Sequence, residues 1–166
     1  MGRIGREVAK KANCLGMKVI YHNRKPLSKK IEKIFRVKYV SENFLYTNSD
    51  IISLHVPYNK DTHHLMNSKI FKKMKNTSFL INTSRGKIVN EKQLITALKT
   101  KQIQGAGIDV YEEEPIKKNN PLLKLENVVL APHVGSSTKE TRQKMSDITA
   151  KNLILGLQGK KLLYSV

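Results

Sequence analysis

Residues 2–21 read GRIGREVAKKANCLGMKVIY, in which two glycines lead into an amphipathic segment and then an apolar run. Apolar residues at helical spacing predict a helix over residues 5–15, and Gly16 is a typical residue at a helix end. The apolar run predicts a strand over residues 17–21. A helix that begins at a glycine and leads directly into a strand is typical of α/β proteins.

The first predicted helix should bury one face against a sheet. Val8, Ala12 and Leu15 recur at helical spacing, so we expect them to form that face. Cys14 is the single cysteine of the sequence and cannot form an internal disulfide. We expect it to be a small buried residue of the same helix.

Helices and strands are predicted to alternate along the rest of the chain. The predicted strands span residues 37–40, 51–55, 78–82, 105–110 and 128–131, and the predicted helices span residues 42–47, 68–74, 91–99 and 138–157. Short strands rich in β-branched residues, separated by helices, indicate a parallel sheet covered by helices on both faces.

The two opening glycines match part of a dinucleotide-binding pattern. In such folds the pattern G-x-G-x-x-G joins the first strand to the first helix, where glycines let the backbone approach a pyrophosphate. Gly2 and Gly5 match the last two glycines, with Met1 immediately before them. The sequence therefore predicts an α/β, Rossmann-type doubly wound parallel sheet lacking its first strand, which is central in the order 3-2-1-4-5-6.

The loop after the first predicted strand bears on the choice of nicotinamide cofactor. An acidic residue there would hold the adenosine ribose of NAD, but Asn23, Arg24 and Lys25 occupy this loop. Two cations without a carboxylate favour a 2′-phosphate, so we expect NADP(H) to be preferred over NAD(H). The alternative is that these residues are solvated loop charges.

Three polar residues follow three of the later predicted strands. Arg85, Glu114 and His133 would meet in one crevice if those strands are neighbours about 4.8 Å apart. Reduction of a 2-keto acid requires such a set, because the arginine grips the substrate carboxylate and polarises the keto oxygen, and the histidine protonates that oxygen. The carboxylate would hold the imidazolium, and the hydride would come from a nicotinamide.

Composition excludes several other classes of function. The 166 residues include 31 Lys and Arg against 13 Asp and Glu, a formal net charge of +18. The lysines are spread along the chain and aromatics are few, so we expect no specific nucleic-acid partner.

Apolar runs are too short to span a membrane, and we expect a cytoplasmic protein. The histidines lack partners at ligand spacing, so we expect no metal.

Four stretches resemble the D-isomer-specific 2-hydroxyacid dehydrogenases over nearly the whole chain. They are residues 49–57, residues 74–90 with the core Asn82-Thr83-Ser84-Arg85-Gly86, residues 107–115 and residues 131–136. Within this family, the non-acidic loop at residues 23–25 and residues 141–146 are most similar to glyoxylate/hydroxypyruvate reductases. The resemblance implies hydride transfer from NAD(P)H to a small 2-keto acid, glyoxylate or hydroxypyruvate, giving the D-2-hydroxy acid.

The resemblance also implies roles for single residues. Arg85, Glu114 and His133 are similar to the catalytic trio, with His133 as proton donor, and both Arg85 and His133 would also contact the cofactor. The remaining cofactor contacts implied are Arg3 and Ile4 at the pyrophosphate, Val56 and Pro57 at the adenosine side, and Thr83, Asp109 and Gly135 at the nicotinamide.

Members of this family carry a separate substrate-binding domain before the nucleotide domain, and this chain shows no counterpart to it. We therefore expect residues 1–166 to be a single NAD(P)-binding domain, N-terminally truncated and inactive by itself, from a homodimeric parent enzyme. The missing first strand would leave unpaired N–H and C=O groups on its neighbours. The alternative is a non-catalytic nucleotide- or anion-binding module or an inactive fragment.

Overall fold

The computed structural model describes residues 1–164 and confirms the α/β, Rossmann-type fold. The helices are α1 (Arg3–Cys14), α2 (Lys29–Phe35), α3 (Glu42–Asn48), α4 (Ser68–Phe71), α5 (Glu91–Lys99) and α6 (Lys139–Leu157). The strands are β1 (Val19–Tyr21), β2 (Val37–Tyr39), β3 (Ile51–Leu54), β4 (Phe79–Asn82), β5 (Gly105–Ile108) and β6 (Val128–Leu130). Three short 3₁₀ segments span Lys60–Thr62, Gly86–Ile88 and Pro121–Lys124.

All strand pairs are parallel, and the strands form two sheets. One sheet has the order β3-β4-β5-β6, and the other pairs β1 with β2. In the larger sheet Leu54 lies opposite Asn82, and Asn82 lies opposite Ile108, so these three strands end level with one another. Residues that follow the strands therefore emerge along one edge of the sheet.

The main hydrophobic core lies around the four-stranded sheet. Its largest fully buried side chains belong to the sheet, to α4 and α5, and to the connecting segments; they are Phe71, Met66, Leu80, Ile88, Leu94, Leu98, Ile103 and Leu122. The two-stranded sheet has a smaller core of Ala9, Tyr21 and Val37. Apolar burial thus fixes the four-stranded sheet much more strongly than the other.

The buried face of α1 differs from the predicted one. Gly5 and Ala9 are its buried residues, whereas Val8 and Leu15 are exposed. Small residues let a helix approach its neighbours closely, and a Cβ at Gly5 would lie 3.7 Å from the Cβ of His55. The prediction of a buried Cys14 was also wrong, because this thiol is exposed at the last residue of α1.

Helix α2 was absent from the predicted elements, although the sequence carries its start signal. The hydroxyl of Ser28 accepts a hydrogen bond from the N–H of Ile31, as an N-cap residue does. The helix ends at Arg36, which adopts a left-handed conformation with φ 49°. With only seven residues, α2 gives a weak periodic signal.

Residues 134–164 form a separate compact unit that contains α6. The Thr138 hydroxyl caps the helix by accepting a hydrogen bond from the N–H of Thr141. At its other end, the Asn152 side chain bonds the backbone of Leu163 and Tyr164. None of the helices within residues 1–164 combines the length and hydropathy needed to cross a bilayer.

Candidate active site

A cleft of about 850 Å³ opens where the strands of the larger sheet end. It is lined by residues that follow β3, β4, β5 and β6, together with one residue of α1. They are Ile4, His55, Val56, Pro57, Tyr58, Thr83, Ser84, Arg85, Gly86, Lys87, Tyr111, Glu112, Glu114 and His133. The structure therefore brings Arg85, Glu114 and His133 to one cleft, where the sequence predicted them to converge.

His133 and Glu114 form a direct pair in this cleft. The imidazole Nδ1 lies 2.7 Å from the carboxylate Oε2, while the other carboxylate oxygen accepts a hydrogen bond from the N–H of Tyr111 at 3.0 Å. The His133 contact, and then the Tyr111 N–H, hold the pKa of Glu114 below its ordinary value. The carboxylate is thus kept ionised, and it orients the ring so that Nε2 is the nitrogen left for another partner.

Arg85 stands on a short loop that is fixed from both sides. Its guanidinium donates a hydrogen bond to the backbone oxygen of Ser84 at 2.7 Å, and its own carbonyl accepts one from the buried Asn82 amide at 3.0 Å. Gly86 is buried beside it, and a Cβ at that position would overlap the carbonyl of Tyr111. Close backbone approach here holds the Arg85 loop against the segment that carries Glu114.

A polar network missed by sequence reasoning supports the Glu114 segment. Glu91 and Glu112 exchange backbone-to-carboxylate hydrogen bonds of 3.0 and 3.3 Å. His64 Nε2 lies 2.8 Å from Glu112 Oε1, and the Tyr111 hydroxyl donates to the carbonyl of Ala131 at 2.9 Å. The acidic run after β5 was the available signal, but its partners come from distant parts of the chain.

His55 also lines the cleft, although it was not among the predicted site residues. Its Nε2 lies 2.9 Å from the Ser53 hydroxyl, and burial is the main cause that lowers its pKa. Its position directly after β3 was the signal that could have identified it. Within the described residues, no group of three or more His, Cys, Asp or Glu side chains is arranged to hold a metal.

Only some of the predicted cofactor residues line the cleft. Ile4, Val56, Pro57 and Thr83 line the cleft with Arg85 and His133. The others lie outside its described lining: Gly2, Arg3 and Gly5 at the start of α1, Asn23, Arg24 and Lys25 after β1, and the buried Asp109 after β5. Gly135 belongs to the unit formed by residues 134–164.

The start of α1 fits a pyrophosphate. Gly2 is the N-cap residue and supplies no capping side chain, and a Cβ there would meet no atom within 4 Å. The N–H groups of the first helical turn have no partners within the helix, so they suit an anion, and the positive end of the helix dipole adds to this. Ile4 brings this helix end to the wall of the cleft.

Comparisons with known proteins place the chain in a family. The family model for the D-isomer specific 2-hydroxyacid dehydrogenase NAD binding domain matches residues 1–135. A glyoxylate reductase from Thermococcus litoralis is 50% identical over 159 residues, which cover 96% of this chain and 47% of that protein. Glyoxylate/hydroxypyruvate reductase B from Escherichia coli O6:H1 is 42% identical over 161 residues, which cover 96% of this chain and 49% of that protein.

Solved structures give the same result. The crystal structure of a glyoxylate reductase from Paecilomyes thermophila matches with a TM-score of 0.92 at 39% identity, covering 100% of this chain and 50% of that one. This chain spans about half the length of the curated relatives that it matches. By its sequence and its fold, the chain belongs to the D-isomer-specific 2-hydroxyacid dehydrogenases, and it contains their NAD-binding domain.

Proposed function

We propose that this chain is the nucleotide-binding domain of a reductase that converts a small 2-keto acid, glyoxylate or hydroxypyruvate, into the D-2-hydroxy acid. The observation that carries the proposal is the 2.7 Å contact between His133 and Glu114 in the cleft that Arg85 also lines. The names of the similar reductases support the choice of substrate.

In this proposal each of the three side chains has a separate task. The Arg85 guanidinium binds the substrate carboxylate and polarises the keto oxygen. His133 gives a proton from Nε2 to that oxygen, while Glu114 holds Nδ1 and stabilises the imidazolium. When bound, the reduced nicotinamide supplies the hydride that bonds to the keto carbon. The keto acid gains one hydride and one proton, and the cofactor is oxidised.

The cofactor we propose is NADP(H), in preference to NAD(H). Arg3 and Ile4 would hold the pyrophosphate through the first turn of α1, which fits an anion as described above. Arg24 and Lys25 are exposed in the loop after β1, where they are available to a 2′-phosphate. Val56 and Pro57 would form the adenosine side of the cleft, while Thr83 and Asp109 would lie at the nicotinamide.

The proposal is tested by a ternary complex that cannot react. Oxalate keeps the carboxylate and the adjacent carbon–oxygen group of glyoxylate but has no C–H hydride to give to NADP⁺, so oxalate can be titrated by calorimetry into the chain saturated with NADP⁺. We expect binding, and we expect Arg85→Ala to weaken it about tenfold or more through the loss of a charge-assisted contact. Lys117→Ala, which removes an exposed ion pair with Glu113, is the matched control and should change nothing.

Two results would contradict the proposal. Equal oxalate binding by the parent chain and Arg85→Ala would remove Arg85 from its assigned role. Failure of the chain to bind either NADP⁺ or NAD⁺ would favour the alternative, an inactive fragment. Loss of NADP⁺ binding by Arg24→Ala together with Lys25→Ala, with NAD⁺ binding kept, is the result expected for the 2′-phosphate contacts.

A further inference from the structure

The loop after β1 is fixed by a polar network whose residues are not among those described as lining the cleft. The loop covers residues 22–27 and carries Arg24 and Lys25, which are exposed. Under it lie two tyrosines, Tyr21 of β1 and Tyr39 of β2, whose rings meet edge to face with centroids 5.6 Å apart. These tyrosines hold the loop at both of its ends.

The two ends of the loop are bonded by tyrosine hydroxyls. The Tyr21 hydroxyl accepts a hydrogen bond from the N–H of Leu27 at 2.7 Å, at the end of the loop. The Tyr39 hydroxyl donates to the carbonyl of Asn23 at 3.4 Å, at its start. The backbone between these bonds carries Arg24 and Lys25 and has a restricted path, because both of its ends are attached to the sheet.

One buried carboxylate is hydrogen-bonded to both tyrosines. Glu32 of α2 is 8% exposed, and its Oε1 accepts hydrogen bonds from the Tyr21 hydroxyl at 3.0 Å and from the Tyr39 N–H at 3.2 Å. Its other oxygen lies 2.8 Å from the ammonium of Lys29. Since the Tyr21 hydroxyl donates its hydrogen bond to Glu32, its oxygen is free to accept one from the N–H of Leu27. A buried carboxylate in a core this small requires such partners.

We propose that Glu32, acting through Tyr21 and Tyr39, is a positioning residue for cofactor selection that holds Arg24 and Lys25 ready for the 2′-phosphate of NADP(H). Holding a charged loop in its binding conformation reduces the ordering cost of binding, and only the phosphorylated cofactor gains from it. This inference rests on the proposed function, because it assumes that residues 24 and 25 meet the 2′-phosphate.

The test compares two variants that each remove a tyrosine hydroxyl bonded to a glutamate. Tyr21→Phe removes the hydroxyl that links Glu32 to Leu27, and Tyr46→Phe removes a hydroxyl that donates to Glu42 at 2.9 Å in α3. The Kd values for NADPH and NADH are measured by nicotinamide fluorescence, and their ratio is the readout. A general loss of stability lowers both affinities and leaves the ratio unchanged.

We expect Tyr21→Phe to reduce the preference for NADPH about fivefold, the change that corresponds to one hydrogen bond of ordinary strength. Glu32→Gln should act in the same direction, whereas Tyr46→Phe should leave the ratio as it is in the parent chain. If Tyr21→Phe and Glu32→Gln both leave the ratio of the two Kd values unchanged, the role of Glu32 is overturned, while the proposed preference for NADP(H) stands. A parent chain without any preference for NADPH would overturn the proposed cofactor, and the inference with it.

Amide hydrogen exchange of the parent chain gives a second test that needs no variant. The N–H of Leu27 should be protected by its bond to Tyr21, and the N–H groups of the exposed residues 24 and 25 should exchange faster. Exchange at Leu27 as fast as at those two residues would show that the loop is not held, and it would overturn the inference even if Tyr21→Phe fails to fold.

Discussion

The loops at the ends of the two sheets differ in how much apolar packing holds them. The loop of Arg85 and the segment of Glu114 lie against the large core around Leu80 and Phe71, and backbone contact at Gly86 joins them. The loop at residues 22–27 lies over a core with few buried side chains, and hydrogen bonds hold it. Packing together with hydrogen bonds thus fixes the proposed catalytic end, whereas the loop at residues 22–27 depends mainly on hydrogen bonds.

The largest difference between the two regions should appear when a core residue of each is truncated. Leu80→Ala removes a fully buried side chain from the large core and should lower the free energy of unfolding by about 4 kcal/mol. Val37→Ala removes two methyl groups from the small core and should cost about 1.5 kcal/mol. Urea denaturation measures both, and equal losses would show that the two cores do not differ in this way.

An alanine at Gly86 should have the next largest effect. Its Cβ would meet the backbone of Tyr111 and Glu112, which no side-chain rotation can relieve, so we expect a loss of about 3 kcal/mol. Gly107→Ala is the matched control, because its Cβ would meet only the end of the Ile81 side chain at 3.0 Å. A control as costly as Gly86→Ala would mean that close backbone approach does not fix the Arg85 loop.

The smallest effect concerns the charge of Glu114. The pKa of Glu114 is lowered in the folded chain, so the ionised carboxylate stabilises the fold at pH values above the ordinary pKa of a glutamate. That stability is lost as the pH falls through the lowered pKa. Glu114→Gln should therefore be less stable than the parent chain at pH about 6, and the difference should shrink as the pH falls below about 4, the ordinary pKa of a glutamate. Thermal unfolding across this range measures it.

The same pH dependence identifies the partner of Glu114. The contact with His133 is the largest cause of the lowered pKa, so His133→Asn should also reduce the difference in stability between neutral and acid solution. A His133→Asn variant with the full pH dependence of the parent chain would show that the Tyr111 N–H alone is responsible. The packing around Gly86 would then position Glu114 without help from the histidine.

Sequence reasoning was most successful where a pattern repeats over a whole element. Helix α5 has the predicted bounds, and every predicted strand forms, with ends that differ by one or two residues. The convergence of Arg85, Glu114 and His133 was also predictable, because parallel strands end along one edge. Helix α2 was missed because seven residues give little periodicity.

The buried face of α1 could not be found from hydrophobicity alone. Val8 and Leu15 are larger and more apolar than Gly5 and Ala9, yet the smaller residues are the ones buried. The choice depends on how closely the helix approaches His55, and that distance is a property of the packed chain.

The sequence by itself determined the alternation of helices and strands, the glycines at the start of α1 and the residue types that follow each strand. Those features depend on periodicity and on local backbone preferences. Only the tertiary structure decided which carboxylate oxygen meets His133, how Glu91, Glu112 and His64 support that pair, and how Glu32 holds the loop after β1. These contacts join residues far apart in the chain, so no local pattern contains them.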